Sequence, residues 1–298
     1  MARKKKTINV KETEYYKYAN GVIDGSIVAG ELVKLACKRF IDDLERPDLE
    51  FRAEIVDRFI TFCSLLKHFK GKSAGEKFIL ENWQQFIAAN ILGFYYKGTN
   101  DRKYTNSLIC VSRKQGKTAL AALFCLWFLI GDGESGAEVD LAANSRQQAQ
   151  IAYEFCTNYA RQLDPSGKEL KCLRTGIKLK LNDSNLNVFA ADSTKLDGFN
   201  ASFALIDEYH AAKDSRLYDV LKSSQGQRKN PHLMVISTVG FSITSPFKRL
   251  YDTDCEILHG LKEDDSTFAM IFALDDGDDW RDEKVWRKIA PNLDITVT

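Results

Sequence analysis

"SLICVSRKQGKTALAALFCLWFLIG", residues 107–131, decides the fold. Its first residues (107–111) read as a short buried strand. The run from 119 to 131 reads as a buried helix, too short to cross a bilayer. Between the two stand Gly116, Lys117 and Thr118. Gly-Lys-Thr between a strand and a helix is a phosphate-binding context, because loop amides and a helix N-terminus then point the same way. The usual pattern has a second glycine five positions before the first of these. Here that position is Val111, and Arg113 and Lys114 stand in the loop. Taken alone, the loop is a damaged site, a coincidence or a variant of its own kind.

Working outward, "AEVDLAA" (137–143) is a second strand, and "SRQQAQIAYEFCTNYARQL" (145–163) is the helix that follows it. "IKLKL" (177–181) and "LNVFAA" (186–191) form a hairpin across "NDSN". "SFALI" (202–206) and "HLMVIST" (232–238) are further buried-type strands. Strands alternating with helices predict an α/β fold with a largely parallel sheet. Before it, apolar spacing predicts one helix over 26–46, ended by Pro47, and a second over 49–69. The polar tract "KGKSAGEK" (70–77) closes this helical pair off from the main domain.

The chain of 298 residues is 44% hydrophobic and 28% charged, which suits a globular protein with a real core. Its net charge of +1 gives no global attraction to nucleic acid, so DNA contact would need a local basic patch. The start, "MARKKK", is a short basic arm. Cys37, Cys63, Cys110, Cys125, Cys156, Cys172 and Cys255 form no C-x-x-C pair and sit mostly in apolar contexts, as reduced thiols do. The four histidines have no metal spacing, and "LDDGDDWRDE" (274–283) lacks the spacing of a calcium loop. With no apolar signal core at the N-terminus, these features point to a cytoplasmic protein.

"FALIDEYH" (203–210) supplies the second half of a nucleotide site. Asp207 at a strand tip can join Thr118 in holding Mg²⁺, and Glu208 beside it can orient and deprotonate a water. Lys117 reaches the β- and γ-phosphates of ATP. A glutamate with a water to activate favours hydrolysis over transfer to another acceptor. "STVG" (237–240) ends the next strand. Its hydroxyls, Ser237 and Thr238, can sense the γ-phosphate and pass that on.

In these motifs the chain resembles the large terminase subunit of tailed bacteriophages, the ATPase that drives DNA into the procapsid. "VSRKQGKT" (111–118) matches that family's phosphate loop, where serine and arginine stand in place of glycine. "FILENWQQFI" (78–87) resembles its adenine motif, and "ANSRQQAQ" (from 143), "LDGFNASFALIDEYH" (196–210) and "STVG" follow in the family's order. "YANGVIDGSIVAGELVKLACKRFIDDL" (18–44) and "VWRKIAPNLDITVT" (285–298) extend the resemblance to both ends.

The resemblance implies a P-loop NTPase core of the RecA/ASCE type with a mainly parallel sheet, preceded by an N-terminal helical segment. It implies that Ser112, Arg113, Lys114, Gln115, Gly116, Lys117 and Thr118 hold ATP, with Arg113 on the γ-phosphate in cis, and that Gln84 reads adenine with both ends of its amide. Thr118 and Asp207 fix Mg²⁺, Glu208 is the base, and Ser237 and Thr238 couple hydrolysis to movement. Where several terminases carry a trans arginine before a glycine, Asp197 precedes Gly198 here. Arg228 is therefore the first choice for that role, followed by Lys195 and Arg146. Lys213, Arg216, Lys222 and Arg228 are candidates for gripping DNA. The implied partners are double-stranded DNA, the portal protein, the small terminase subunit and further copies of the chain in a ring, in the host cytoplasm and with no membrane. The expected division is 1–75 helical segment, 76–290 ATPase domain and 291–298 the start of a connection to a nuclease domain that the chain lacks. The rivals are a helicase-like ATPase of another family and a nucleotide-binding protein that does not hydrolyse.

Overall fold

A computed structural model of the chain describes residues 8–190, 200–240 and 242–293. Four helices come first: α1 (Glu14–Asp24), α2 (Glu31–Glu45), α3 (Ala53–Ser64) and α4 (Asn82–Gly93). The helix expected over 26–46 begins only at Glu31. That expected over 49–69 gives up Leu49–Phe51 to a short strand, β1, which pairs antiparallel with β2 (Phe94–Tyr96). α1 is a further helix that the spacing did not single out. It is capped by Thr13, which accepts from Tyr16 N, and ends at Gly25 with φ 82°.

These helices share one hydrophobic core with the rest of the chain. Phe40 of α2 packs edge-on against Phe86 at 5.3 Å and Phe94 at 5.5 Å, and Tyr18 of α1 meets Phe86 at 5.5 Å. A boundary at residue 75 thus runs through continuous packing. Polar contacts strengthen the seam. The fully buried ammonium of Lys103 is held by Asp43 of α2 and by Tyr104 Oη at 3.1 Å. Removing one partner of such a buried pair typically costs about 3–5 kcal/mol.

The main sheet has eight strands: β3 (Asn106–Cys110), β4 (Glu138–Ala143), β5 (Leu170–Cys172), β6 (Gly176–Leu179), β7 (Ser184–Ala190), β8 (Phe203–Asp207), β9 (His232–Ser237) and β10 (Thr267–Ile271). Their order is β10-β3-β9-β8-β4-β7-β6-β5. The six strands from β10 to β7 are parallel, and β6 and β5 add on antiparallel. β3, β8, β9 and β10 are buried along their whole length, which is why the middle of each reads as an apolar run. α5 (Lys117–Ile130) is apolar on every side because it lies between layers. Phe128 stacks on Phe203 of the sheet at 4.2 Å, and Phe124 stacks on Phe59 of α3 at 4.7 Å. α6 (Arg146–Leu163), α7 (Arg216–Ser224) and α8 (Pro246–Leu258) complete the layers. Among the described residues no helix is long and apolar enough to cross a membrane.

This order puts β9 between β3 and β8. Cys110 pairs with Ser237, and Ile236 with Asp207, so three strand ends lie side by side at one edge of the sheet. The Gly-Lys-Thr loop, the Asp-Glu pair and the Ser-Thr pair all leave from that edge.

Candidate active site

The phosphate loop does not need its missing glycine. Val111 is buried and continues β3, its N–H donating to Ser237 O at 3.1 Å. The sharp turn falls later, at Lys114 (φ 66°) and Gly116 (φ 78°). Left-handed residues alternating with ordinary ones turn successive N–H groups toward one hollow, an anion-binding nest. Gly116 also caps α5 without a side-chain acceptor, so that helix offers its first amides to the same hollow. Arg113 and Lys114 are exposed on the loop, while Gln115 is buried.

Lys117 reaches across to Glu208, with Nζ 2.8 Å from Oε1. His210 holds the other carboxylate oxygen, its Nδ1 being 3.1 Å from Oε2. Burial would raise the Glu208 carboxyl, but hydrogen bonds from His210 and Lys117 and the charge of Lys117 outweigh it and hold the group down at about 2. The backbone of Glu208 is left-handed (φ 55°), uncommon for a side chain of this size and typical of functional turns. It is locked by its own N–H on Ile236 O at 2.9 Å and by Asn144 Nδ2 donating to its carbonyl at 2.6 Å.

Asp207 is 3% exposed, and its Oδ1 has no hydrogen-bond partner. Burial, and then the neighbouring charge of Glu208, pushes this carboxyl up to about 7. A buried, unpartnered carboxylate oxygen beside a phosphate loop fits a site for a hard divalent cation, and Thr118 follows Lys117 at the head of α5.

Ser237 and Thr238 meet the same cluster. Ser237 Oγ accepts from the His210 backbone N–H at 3.1 Å and lies 3.1 Å from His210 Nδ1. Thr238 Oγ1 donates to Glu208 Oε2 at 3.4 Å. The sequence reading did not single out His210 or Asn144, although both sit inside quoted motifs, two residues after Glu208 and just after β4.

Two expectations need correction. Gln84 is buried and caps its own helix: Oε1 accepts from Glu81 N at 3.0 Å. That leaves Nε2, which lies 3.8 Å from where a Cβ on Gly116 would stand. A grip on adenine with both ends of the amide would first have to break the cap. Arg228 lies at the opposite edge of the sheet, near the start of β4. Its Nε donates to Asn200 O at 2.7 Å, and its two terminal nitrogens to Glu134 at 3.0 Å and Glu138 at 3.3 Å. A strand of five residues separates the two edges by roughly 16 Å, and a guanidinium spent on three acceptors is an anchor. We expect Arg228→Ala to lower stability by about 1–3 kcal/mol by leaving these acceptors unpaired. Hydrolysis per folded molecule should stay unchanged, read by denaturant melts beside phosphate release.

The other cations are dispersed. Arg216 pairs with Asp214 at 2.9 Å, and Lys222 donates to Asn106. Lys213 and Arg146 are exposed, Arg146 at the head of α6, which follows β4 at the same edge of the sheet from which the phosphate loop leaves. Lys195, Asp197 and Gly198 lie outside the described residues.

Residues 82–254 match the family model of the terminase large subunit ATPase domain. The chain is 27% identical over 200 residues to the terminase large subunit of Enterobacteria phage HK97, covering 63% of this chain and 36% of that protein. It is 34% identical over 101 residues to protein YmfN of Escherichia coli K12, covering 34% of this chain and 22% of YmfN. The crystal structure of the HK97 large terminase shares its fold, with a TM-score of 0.68 and 19% identity over 82% of this chain and 49% of that one. The chain thus spans well under half the length of the curated relatives it matches.

Proposed function

We propose that this chain, which belongs to the terminase large-subunit ATPase family, is the ATP-hydrolysing motor of viral DNA packaging. The observation that carries the reading is the contact between Lys117 of the phosphate loop and Glu208, with the unpartnered carboxylate of Asp207 beside it.

In this mechanism the loop amides from Ser112 to Gly116 and the head of α5 bind the triphosphate. Thr118 and Asp207 would hold Mg²⁺, which when bound neutralises charge on the phosphates. Lys117 moves from Glu208 to the β- and γ-phosphate oxygens, and Arg113 meets the γ-phosphate from the same subunit. Glu208, released on one side and still held by His210, takes the proton of the attacking water. Because His210 and Thr238 touch that same carboxylate, its change of partner is felt at Ser237 and Thr238. That is the route from hydrolysis to movement. The grip on double-stranded DNA is by backbone phosphates, without sequence reading. The portal protein and small terminase subunit are the proposed partners, in the host cytoplasm. Arg146 is the cation proposed to serve a neighbouring subunit's site.

The test is phosphate release by the chain with and without double-stranded DNA and portal protein. Binding of ATP without turnover under any of these conditions would make it a nucleotide-binding protein instead. Adenine preference has its own test. Gln84→Ala should weaken ATP by about 1–3 kcal/mol more than GTP if Nε2 reads the base. Equal losses would leave Gln84 as a helix cap.

A further inference from the structure

We propose that Asn292 is a positioning residue for the phosphate loop, and that through it nucleotide binding and the docking of the segment after β10 stabilise each other. The inference rests on the nucleotide-site reading above. The sequence reading put Asn292 in a connection outside the ATPase domain. Instead it is 3% exposed and set against the loop. Its backbone N–H donates to Gln115 Oε1 at 2.8 Å, and its Nδ2 to Gln115 O at 3.3 Å. Its own Oδ1 accepts from Trp83 Nε1 at 2.7 Å, one residue before Gln84 in α4. Gln115 sits between Lys114 and Gly116, the two left-handed residues that aim the loop's amides. Asn292 therefore satisfies both carbonyl oxygens of the residue on which the shape of the nest depends.

The support behind Asn292 is itself fixed. Lys288 bridges Asp275 at 2.8 Å and Asp278 at 2.7 Å, Trp286 Nε1 donates to Trp280 O at 2.8 Å, and Leu293 N donates to Ala290 O at 2.9 Å. A loop held in its binding shape before the ligand arrives loses less freedom on binding. By linkage, a ligand that needs that shape must strengthen the docking by the same factor.

The experiment uses the whole chain with ADP and ATP as probes. Asn292→Ala should weaken ADP about tenfold and raise KM by a similar factor, with kcat changed less than about twofold. In the wild type, ADP should slow hydrogen exchange of the amides over 286–293, and Asn292→Ala should abolish that slowing. Gln115→Leu takes away the acceptor for the Asn292 backbone N–H and leaves Gln115 O in place, so it should weaken ADP by itself, and adding Asn292→Ala should weaken it further. Should Asn292→Ala fail to fold, Asn292→Asp keeps the shape, the acceptor for Trp83 and the backbone donor. It replaces the donor to Gln115 O with a carboxylate oxygen, which adds repulsion at that carbonyl, and should weaken ADP. Unchanged ADP affinity in Asn292→Ala, or exchange over 286–293 that ignores ADP, overturns the latch while the nucleotide site stands. A wild type that binds neither nucleotide overturns both.

Discussion

Lys117→Ala should abolish ATP hydrolysis. Lys117 is 7% exposed, so its charge acts from a site where water screens little. Loss of a cation that meets transferring phosphate oxygens in such a place is worth several kcal/mol in the transition state, or about 10²–10³ in rate. The substitution has a second consequence. It strips Glu208 of the partner at 2.8 Å, leaving His210 and Thr238 to hold the carboxylate. The Glu208 carboxyl should therefore rise from about 2, where hydrogen bonds from His210 and Lys117 now outweigh its burial. Phosphate release by purified protein checks the first point, and near-normal turnover would sink the nucleotide site. Carboxyl titration by NMR checks the second.

Glu208→Gln should bind ATP and fail to turn it over. The amide keeps the shape and can still meet His210 and Thr238 but cannot accept the water's proton, a role typically worth about 10²–10⁴ in rate. Binding should hold or tighten, because Lys117 no longer leaves a carboxylate to reach the phosphates. If binding and hydrolysis fall together, Glu208 is structural. The same variant tests the neighbour's contribution. Mixed with Arg146→Ala subunits in an assembled ring, it should recover part of the activity, since each lacks a different half of a shared site. No recovery, with Arg146→Ala fully active alone in rings, would remove Arg146 from that role.

Much of the site was legible from the sequence because its parts are local. A strand, a Gly-Lys-Thr turn and an apolar helix are consecutive in 107–131, and Asp207-Glu208 closes an apolar run. Period and turn chemistry within one segment determine such features, and the order of strands and helices fixes a parallel α/β sheet. Pairings between distant segments lie outside that reach. β9 enters between β3 and β8, and only this brings Ser237 and Thr238 to His210 and Glu208. β1 reads as the start of a helix until β2 pairs with it. Arg228 reads as a free loop cation until Glu134 and Glu138 are seen around it. Asn292 reads as linker until it meets Gln115 across the fold. In each case the partner sits far along the chain and is delivered by the tertiary fold. No spacing within either segment encodes it, so the sequence by itself determined the pieces of the site, and the tertiary structure decided which of them touch.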